Sequence, residues 1–553
     1  MNTTTAFHIW WFVIPVIVDS STSDDIMTQG WIKSVSCDAL KRAGRKVFRF
    51  EGRQIVLFDT SQGIYACNNR CPHEGYPLRE GVLDEQCRLT CNWHNWKFDL
   101  QTGENQRDGD RLRVYPVEVR GDHIWIQIID PPLAEQQEKT INDLNHAFCK
   151  HDYERLAREL ARLFQIGSDP TLAITRAIEW SSECMEFGWT HAYAGAAEWL
   201  RLYDDHDGQR EQQLICLLEA VGHMSEDTLR ERRYPFASGA LAWDEDAFVA
   251  AVEHEDETVA LQHTRGALAD GDAFATMERG LARAALAHYH SFGHALIYIP
   301  KAAELIHYLG EGVAPPVLLC LVRSIVTGFR EDLIPEFSHY GDALSGFGQG
   351  QNGRPPSLEA FAGLNPAKAM ALTAEHGSAP PAELYASLLA VNAQNMLTFD
   401  LRHLQDIDQP YGSDRGWLDF SHGLTFADAV YSLCTRYPEL WPAGLLQMAC
   451  FAGRNAGYDD SDVILEDWMV SDPQTFFQEI TAMLMDHGQS EYIVSVHLLK
   501  TVQAVKRLYA LPQVGAASQI ALAALNRLLS SSVRRKMVRR TARQAMHFIR
   551  QDT

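Results

Sequence analysis

The sequence predicts a multidomain protein, with an N-terminal all-β domain over residues 29–130 and a large all-α domain over residues 142–553. Three observations lead there. A chain of 553 residues is longer than one ordinary hydrophobic core organises. Short β-branched and aromatic runs, punctuated by glycine, crowd the first fifth of it. From about Asn142 onward Ala, Leu, Glu and Arg recur at helical spacing with almost no alternating strands.

In order along the chain, residues 1–28 come first. Ala6 to Val18 is apolar, but no Lys or Arg precedes it, and Pro15 breaks a run already too short to span a bilayer. Residues 1–28 therefore read as a disordered or mis-assigned extension, with Met27 opening the folded part. Strands are expected at Lys46–Phe50, Gln54–Phe58, Ile64–Cys67 and His123–Ile128, between Gly52, Gly63, Gly103 and Gly121. Asp130-Pro131-Pro132 and the Glu- and Gln-rich residues after it read as a linker over 131–141. Leu156, Leu160 and Leu163-Phe164 make the first amphipathic stripe of a multi-helix bundle. Residues 341–383, rich in glycine and proline, interrupt it as a surface connection or a lid. The tail from Val533 to Arg550 carries Arg534, Arg535, Lys536, Arg539, Arg540 and Arg543 beside an apolar face, which suits a terminal helix docked on an acidic body or an acidic redox partner.

Composition narrows the function classes. The net charge of −23 would repel phosphates, so no nucleic-acid partner is expected. Val317–Phe329 comes nearest to a membrane span and Arg323 interrupts it, so no membrane partner is expected either. Eleven scattered cysteines suit a reducing cytoplasm better than a disulfide framework. No nucleophile elbow, P-loop or dinucleotide fingerprint is evident.

Only two cysteines have partners at ligand spacing. Cys71-Pro72-His73 and Cys91-Asn92-Trp93-His94 form C-x-H and C-x-x-H pairs separated by seventeen residues. Two thiolates and two imidazoles suit a [2Fe–2S] centre of mixed ligation, and they also suit a closed tetrahedral zinc site. The surroundings favour the cluster. Glu74-Gly75 and Pro77-Leu78 follow the first pair, and Trp96-Lys97-Phe98-Asp99 with Thr102-Gly103 follow the second. Over residues 29–130 this resembles the Rieske family, in which each pair sits at the tip of a β-hairpin loop.

The resemblance implies a [2Fe–2S] cofactor held by Cys71, His73, Cys91 and His94. High-potential members carry an extra cysteine in each loop, and Tyr76 and Trp93 stand at those positions here. The ferredoxin or oxygenase kind is therefore implied, near the lower end of the Rieske range at about −150 mV. Gly75, Gly81 and the loop backbone are expected to donate hydrogen bonds to sulfur. An NAD(P)H-dependent reductase or a ferredoxin is the implied electron donor.

The helical part holds most of the histidines. Trp189-Thr190-His191-Ala192, Phe292-Gly293-His294-Ala295 and Phe420-Ser421-His422-Gly423 each place an imidazole beside small residues near a helix start, and His497 is a looser fourth. Small neighbours let helices approach closely, so His191, His294 and His422 are catalytic candidates converging on one interior point. His290 and His294 are four apart, hence expected on one helix face, and Glu304-Leu305-Ile306-His307 has the E-x-x-H step of carboxylate-bridged iron bundles. Asp419-x-x-His422 and Asp400-x-x-His403 offer that step with a shorter acid. His290, Glu304 and His307 are thus candidate ligands of a second, non-haem iron. Through His191, His294 and His422 the helical region also resembles the questin oxidase-like family, whose type member opens a quinone-derived ring oxidatively.

The leading expectation is an oxidoreductase in which the cluster passes electrons to the helical domain, for non-haem-iron oxygenation of an apolar or aromatic small molecule. The alternative is a ferredoxin-like carrier or redox sensor whose helical part is a docking scaffold.

Overall fold

The computed structural model describes residues 27–551, apart from residues 29, 107–108, 270, 272, 351, 407, 409–413 and 534–537. Residues 1–26 of the expected N-terminal extension therefore lie outside the described residues, as do Arg534, Arg535 and Lys536 of the basic tail. The chain divides into two compact units, residues 1–136 and residues 137–553. The first is β and the second helical, as the sequence predicts.

The β unit consists of three antiparallel sheets. One runs in the order Met27–Thr28, Trp31–Ser36, His123–Gln127, Val117–Arg120. A second runs Arg45–Phe50, Arg53–Thr60, Gly63–Asn68, Val114–Tyr115, and a third Val82–Leu83, Arg88–Thr90, Lys97–Asp99. The strand Arg53–Thr60 organises the core. Its alternate residues go to opposite faces: Val56 and Phe58 pack with Cys71, Cys91, Phe98 and Leu112, while Ile55 and Leu57 pack with Leu40, Ile124 and Ile126. The cluster loops thus stand on one of two cores separated by a single strand.

The expected linker is largely helix. Leu133–Lys150 is one helix of eighteen residues, because Glu, Gln and Lys are strong helix formers and Pro131-Pro132 precedes it where prolines are tolerated. The glycine- and proline-rich stretch is not an open loop either. It contains the helices Tyr340–Ser345 and Pro366–Glu375, and Pro366 and Pro381 occupy first helical turns rather than breaks. Pro366–Glu375 packs on the helix Trp441–Arg454, where Gly453 lets the backbones meet: a β-carbon there would stand 2.5 Å from Pro366 N.

Residues 311–333 are long and apolar enough to cross a membrane by composition. The helix within them, Ala314–Val326, buries Val317, Leu318, Leu321 and Val322 in the helical core, and its Arg323 pairs with Glu257 at 2.9 Å.

Four helices of the second unit position the histidines: His191–Asp205, His294–Leu309, Trp417–Arg436 and Tyr492–Tyr509. Each packs against two of the other three, closing a ring. Small residues bring them close. A β-carbon on Gly195 would stand 2.4 Å from Val496, and one on Gly293 would stand 2.6 Å from Phe426.

Candidate functional site: paired cluster loops and a histidine cluster

Both cysteine-histidine loops fold alike. Cys71 N–H donates to Tyr76 O at 2.9 Å and Gly75 N–H to Cys71 O at 2.8 Å. Cys91 N–H donates to Trp96 O at 2.8 Å and Asn95 N–H to Cys91 O at 3.0 Å. The fifth residue of each loop needs a left-handed backbone, and Gly75 (φ 74°) and Asn95 (φ 59°) supply it. Cys71 and Cys91 are buried, while the Nδ1 atoms of His73 and His94 stand 3.1 Å apart toward the surface. His73 stacks on Trp96 with ring centres 4.4 Å apart, which fixes its orientation. Tyr76 and Trp93 meet edge to face at 5.6 Å, so the positions where other members carry a cross-loop disulfide do face each other here.

This donor set fits a [2Fe–2S] cluster. Burial, with Cys91 alongside, pushes the free Cys71 thiol up to about 12, so two thiolates here call for a cation between them. The backbone N–H groups of His73 and Glu74 point at the Cys71 sulfur. The expectation that Gly75 and Gly81 serve sulfur is corrected, because their amides donate to Cys71 O and Leu78 O.

The second site is in the ring of helices. His191 is the first residue of its helix, behind the cap Thr190, whose hydroxyl accepts from Ala192 N. His294 also opens its helix, and His422 and His497 lie in the second turns of theirs. The Nε2 of His294 stands 3.1 Å from that of His191 and 2.9 Å from that of His422. The His497 ring centre lies 4.5 Å from that of His191 and 5.0 Å from that of His422.

Backbone carbonyls set the tautomers. Nδ1 of His294 bonds Ser291 O at 2.6 Å, that of His422 bonds Leu418 O at 2.5 Å, and that of His497 bonds Ile493 O at 2.6 Å. A nitrogen facing a carbonyl carries the proton, which leaves Nε2 of each as a lone pair aimed inward. Burial, with the surrounding imidazoles and Lys500, holds His191 and His422 well below the ordinary imidazole range, and His294 is lowered to about 3. The two acceptors of His294 and His422, 2.9 Å apart, repel each other unless a proton or a cation sits between them. Cis ligands of an octahedral ion bound at about 2.1 Å lie about 3.0 Å apart, so the spacing suits a metal.

The backbone before His294 is strained. Ser291, Phe292 and Gly293 all have positive φ, at 48°, 53° and 74°. Non-glycine residues pay for that conformation, and such strain gathers at functional sites. The strain is held by named contacts. Phe292 N–H donates to Glu331 at 2.7 Å, Arg454 lies 4.2 Å over the Phe292 ring, and that ring stands 4.6 Å from His422. A β-carbon on Gly293 would stand 2.6 Å from Phe426.

The other sequence candidates lie apart from this cluster. The helix expected to carry His290 and His294 on one face is interrupted: His290 is extended (φ −151°, ψ 160°) and its ring neighbours His288 at 4.9 Å. Glu304 accepts from Lys301 at 2.9 Å and pairs with Arg201 at 3.0 Å, and His307 is exposed. Asp419 caps its own helix through Gly416 N, and Asp400 bonds Arg402.

Two groups near the cluster were missed in the sequence. Lys500 stands one turn after His497, is 2% exposed, and has no hydrogen-bond partner for Nζ among the described residues. Burial and the charge of Lys301 lower it to about 7. It lines a cavity of about 70 Å³ with Glu198, Lys301 and Arg507. Asp227 accepts from the Thr190 hydroxyl at 2.5 Å, and burial pushes it up to about 6. The three-residue spacing from His497 to Lys500 was a readable signal, whereas nothing local marks Asp227.

Comparison with known proteins bears on the first unit. Residues 30–116 match the Rieske [2Fe-2S] domain family. The 3-phenylpropionate/cinnamic acid dioxygenase ferredoxin subunit of Escherichia coli (strain K12) is 36% identical over 76 residues, which are 13% of this chain and 72% of that protein. The chain belongs to the Rieske family.

The Rieske domain is also 36% identical over 108 residues to the 4beta-methylsterol monooxygenase of Methylococcus capsulatus, a match spanning 17% of this chain and 29% of that protein. The ferredoxin of carbazole 1,9a-dioxygenase from Nocardioides aromaticivorans IC177 is similar at 24% identity and a TM-score of 0.17, covering 18% of this chain and 98% of its own. The chain is thus a Rieske-type oxidoreductase at its N-terminal domain, with a [2Fe–2S] cluster as its cofactor. The match ends at residue 116, so the helical unit is read from its own geometry.

Proposed function

We propose that this Rieske protein is an oxygenase whose helical unit holds a second, non-haem iron at His191, His294 and His422, with His497 beside them. The reading rests on one observation: inward Nε2 atoms 2.9 and 3.1 Å apart, two of them on rings locked by backbone carbonyls. Imidazole nitrogens with open positions between them suit Fe(II). The cluster, when bound, supplies single electrons, and iron among the imidazoles supplies oxygen activation. The protein's own groups do the rest. Phe292, Tyr298 and Phe451 give the site an apolar aromatic wall, which favours an apolar or aromatic substrate and excludes water. Lys500, near neutrality, can hold or release a proton at Nζ on the buried side. Glu198, paired with Lys301 at 2.8 Å and Arg507 at 2.9 Å, keeps that side charged and ordered. The names of the monooxygenase and dioxygenase relatives support oxygenation, and a reductase or ferredoxin is the matching electron donor.

The experiment is iron content. Anaerobically purified protein should hold three irons per chain on this reading. His294→Ala should lose one of them while the reduced-cluster EPR signal stays. Two irons in the parent protein, unchanged in the variant, would instead favour a carrier or sensor.

A further inference from the structure

The helix Val538–Gln551 exposes most of its surface, and its contact with the protein body is narrow and polar. Gln544 is buried and Arg540 half-buried, while Arg539, Thr541, Arg543 and Arg550 are exposed. Gln544, 6% exposed, donates to Asp414 at 2.9 Å, Arg540 stands 3.5 Å from the same carboxylate, and Arg543 pairs with Asp408. Its apolar side is turned outward, with Val538, Met546 and Ile549 being 67%, 57% and 62% exposed. At 3.6 residues per turn these three lie within an arc of about 80°. The expectation of a helix docked on acidic groups is thus met through the arginines, while the apolar stripe is left over.

The sequence around that helix is strongly basic. Residues 533–551 contain seven basic residues, Arg534, Arg535, Lys536, Arg539, Arg540, Arg543 and Arg550, and no acidic one, in a chain of net charge −23. Arginine flanking an exposed apolar arc is the make-up of a helix that lies in a membrane interface, its apolar side in the acyl boundary and its cations at the phosphates. A second copy is a poor occupant, because pairing two such arcs would set the arginine rows against each other. An acidic protein partner would find Arg540 and Arg543 already paired with Asp414 and Asp408, and would leave the apolar side chains in water.

We propose that the helix Val538–Gln551 is a membrane-interfacial element that seats the protein on an anionic phospholipid bilayer. This replaces the expectation of no membrane partner and does not depend on the second iron. The test is co-sedimentation of the full-length, cluster-loaded protein with phosphatidylcholine vesicles, with and without phosphatidylglycerol. The protein should pellet with the anionic vesicles and stay in solution with the neutral ones. Met546→Glu with Ile549→Glu should weaken that binding at least about tenfold, while Ile549→Leu should retain it, both with unchanged cluster absorbance and circular dichroism. Failure of the parent protein to pellet would overturn the proposal, as would pelleting by the doubly substituted variant at the parent level. So would sedimentation of the lipid-free parent as a dimer that the same variant dissociates.

Discussion

Asp227 is a residue whose ionisation bears on the fold around the histidines. Its carboxyl moves from an ordinary 3.8 up to about 6, chiefly through burial, with the Thr190 hydroxyl opposing. A group raised in the folded state adds stability that is complete below the unfolded value and is lost as pH rises through the folded one. Between about pH 4 and pH 6 the native chain therefore holds a proton there that the unfolded chain has released. Asp227→Asn cannot ionise and still accepts from Thr190. Relative to it, the parent protein should lose up to about 3 kcal/mol of stability between pH 4 and pH 7. Urea midpoints across that range would show the two curves diverging, and parallel curves would remove Asp227 as the cause. Residues of this kind were not legible in the sequence, because a buried carboxylate and an exposed one look alike until the neighbours are placed. The same limit misled the reading of Glu304-Leu305-Ile306-His307. Its spacing is that of a ligand pair, yet Lys301 and Arg201 hold the carboxylate and His307 faces solvent.

At the scale of elements, helix starts carry the design. His191 and His294 both open helices, so their placement depends on how each helix begins. Thr190 caps the first and also binds Asp227. Thr190→Ala should cost about 1–2 kcal/mol by thermal or urea unfolding, while Thr190→Ser should restore most of it. A loss equal for both would mean the methyl group, not the hydroxyl, matters there. The strands and the cluster loops were legible because their signals are local, alternation in one case and fixed ligand spacing in the other. The small residues around His191, His294 and His422 also told correctly of close helix approach. Punctuation misled in both directions. Pro366 and Pro381 looked like interruptions and stand at helix starts, whereas the real break before His294 is made by Ser291 and Phe292, residue types that give no warning of a left-handed backbone.

At the scale of the whole molecule, the two units differ in how far apart in the chain their key side chains lie. A fragment of residues 27–136 should fold and bind two irons, giving the reduced Rieske EPR signal without the helical unit. An iron-free, unfolded fragment would show that the β unit needs its neighbour. The cluster ligands all fall between Cys71 and His94, whereas the imidazoles of the other site come from His191, His294, His422 and His497. That contrast sets an order of events during synthesis. As the polypeptide leaves the ribosome, the cluster-binding loops are complete after about a fifth of the chain. The imidazole ring closes only once the last of its four contributing helices has emerged. Cluster loading can therefore begin on a nascent chain, whereas the four imidazoles meet only in a nearly finished one.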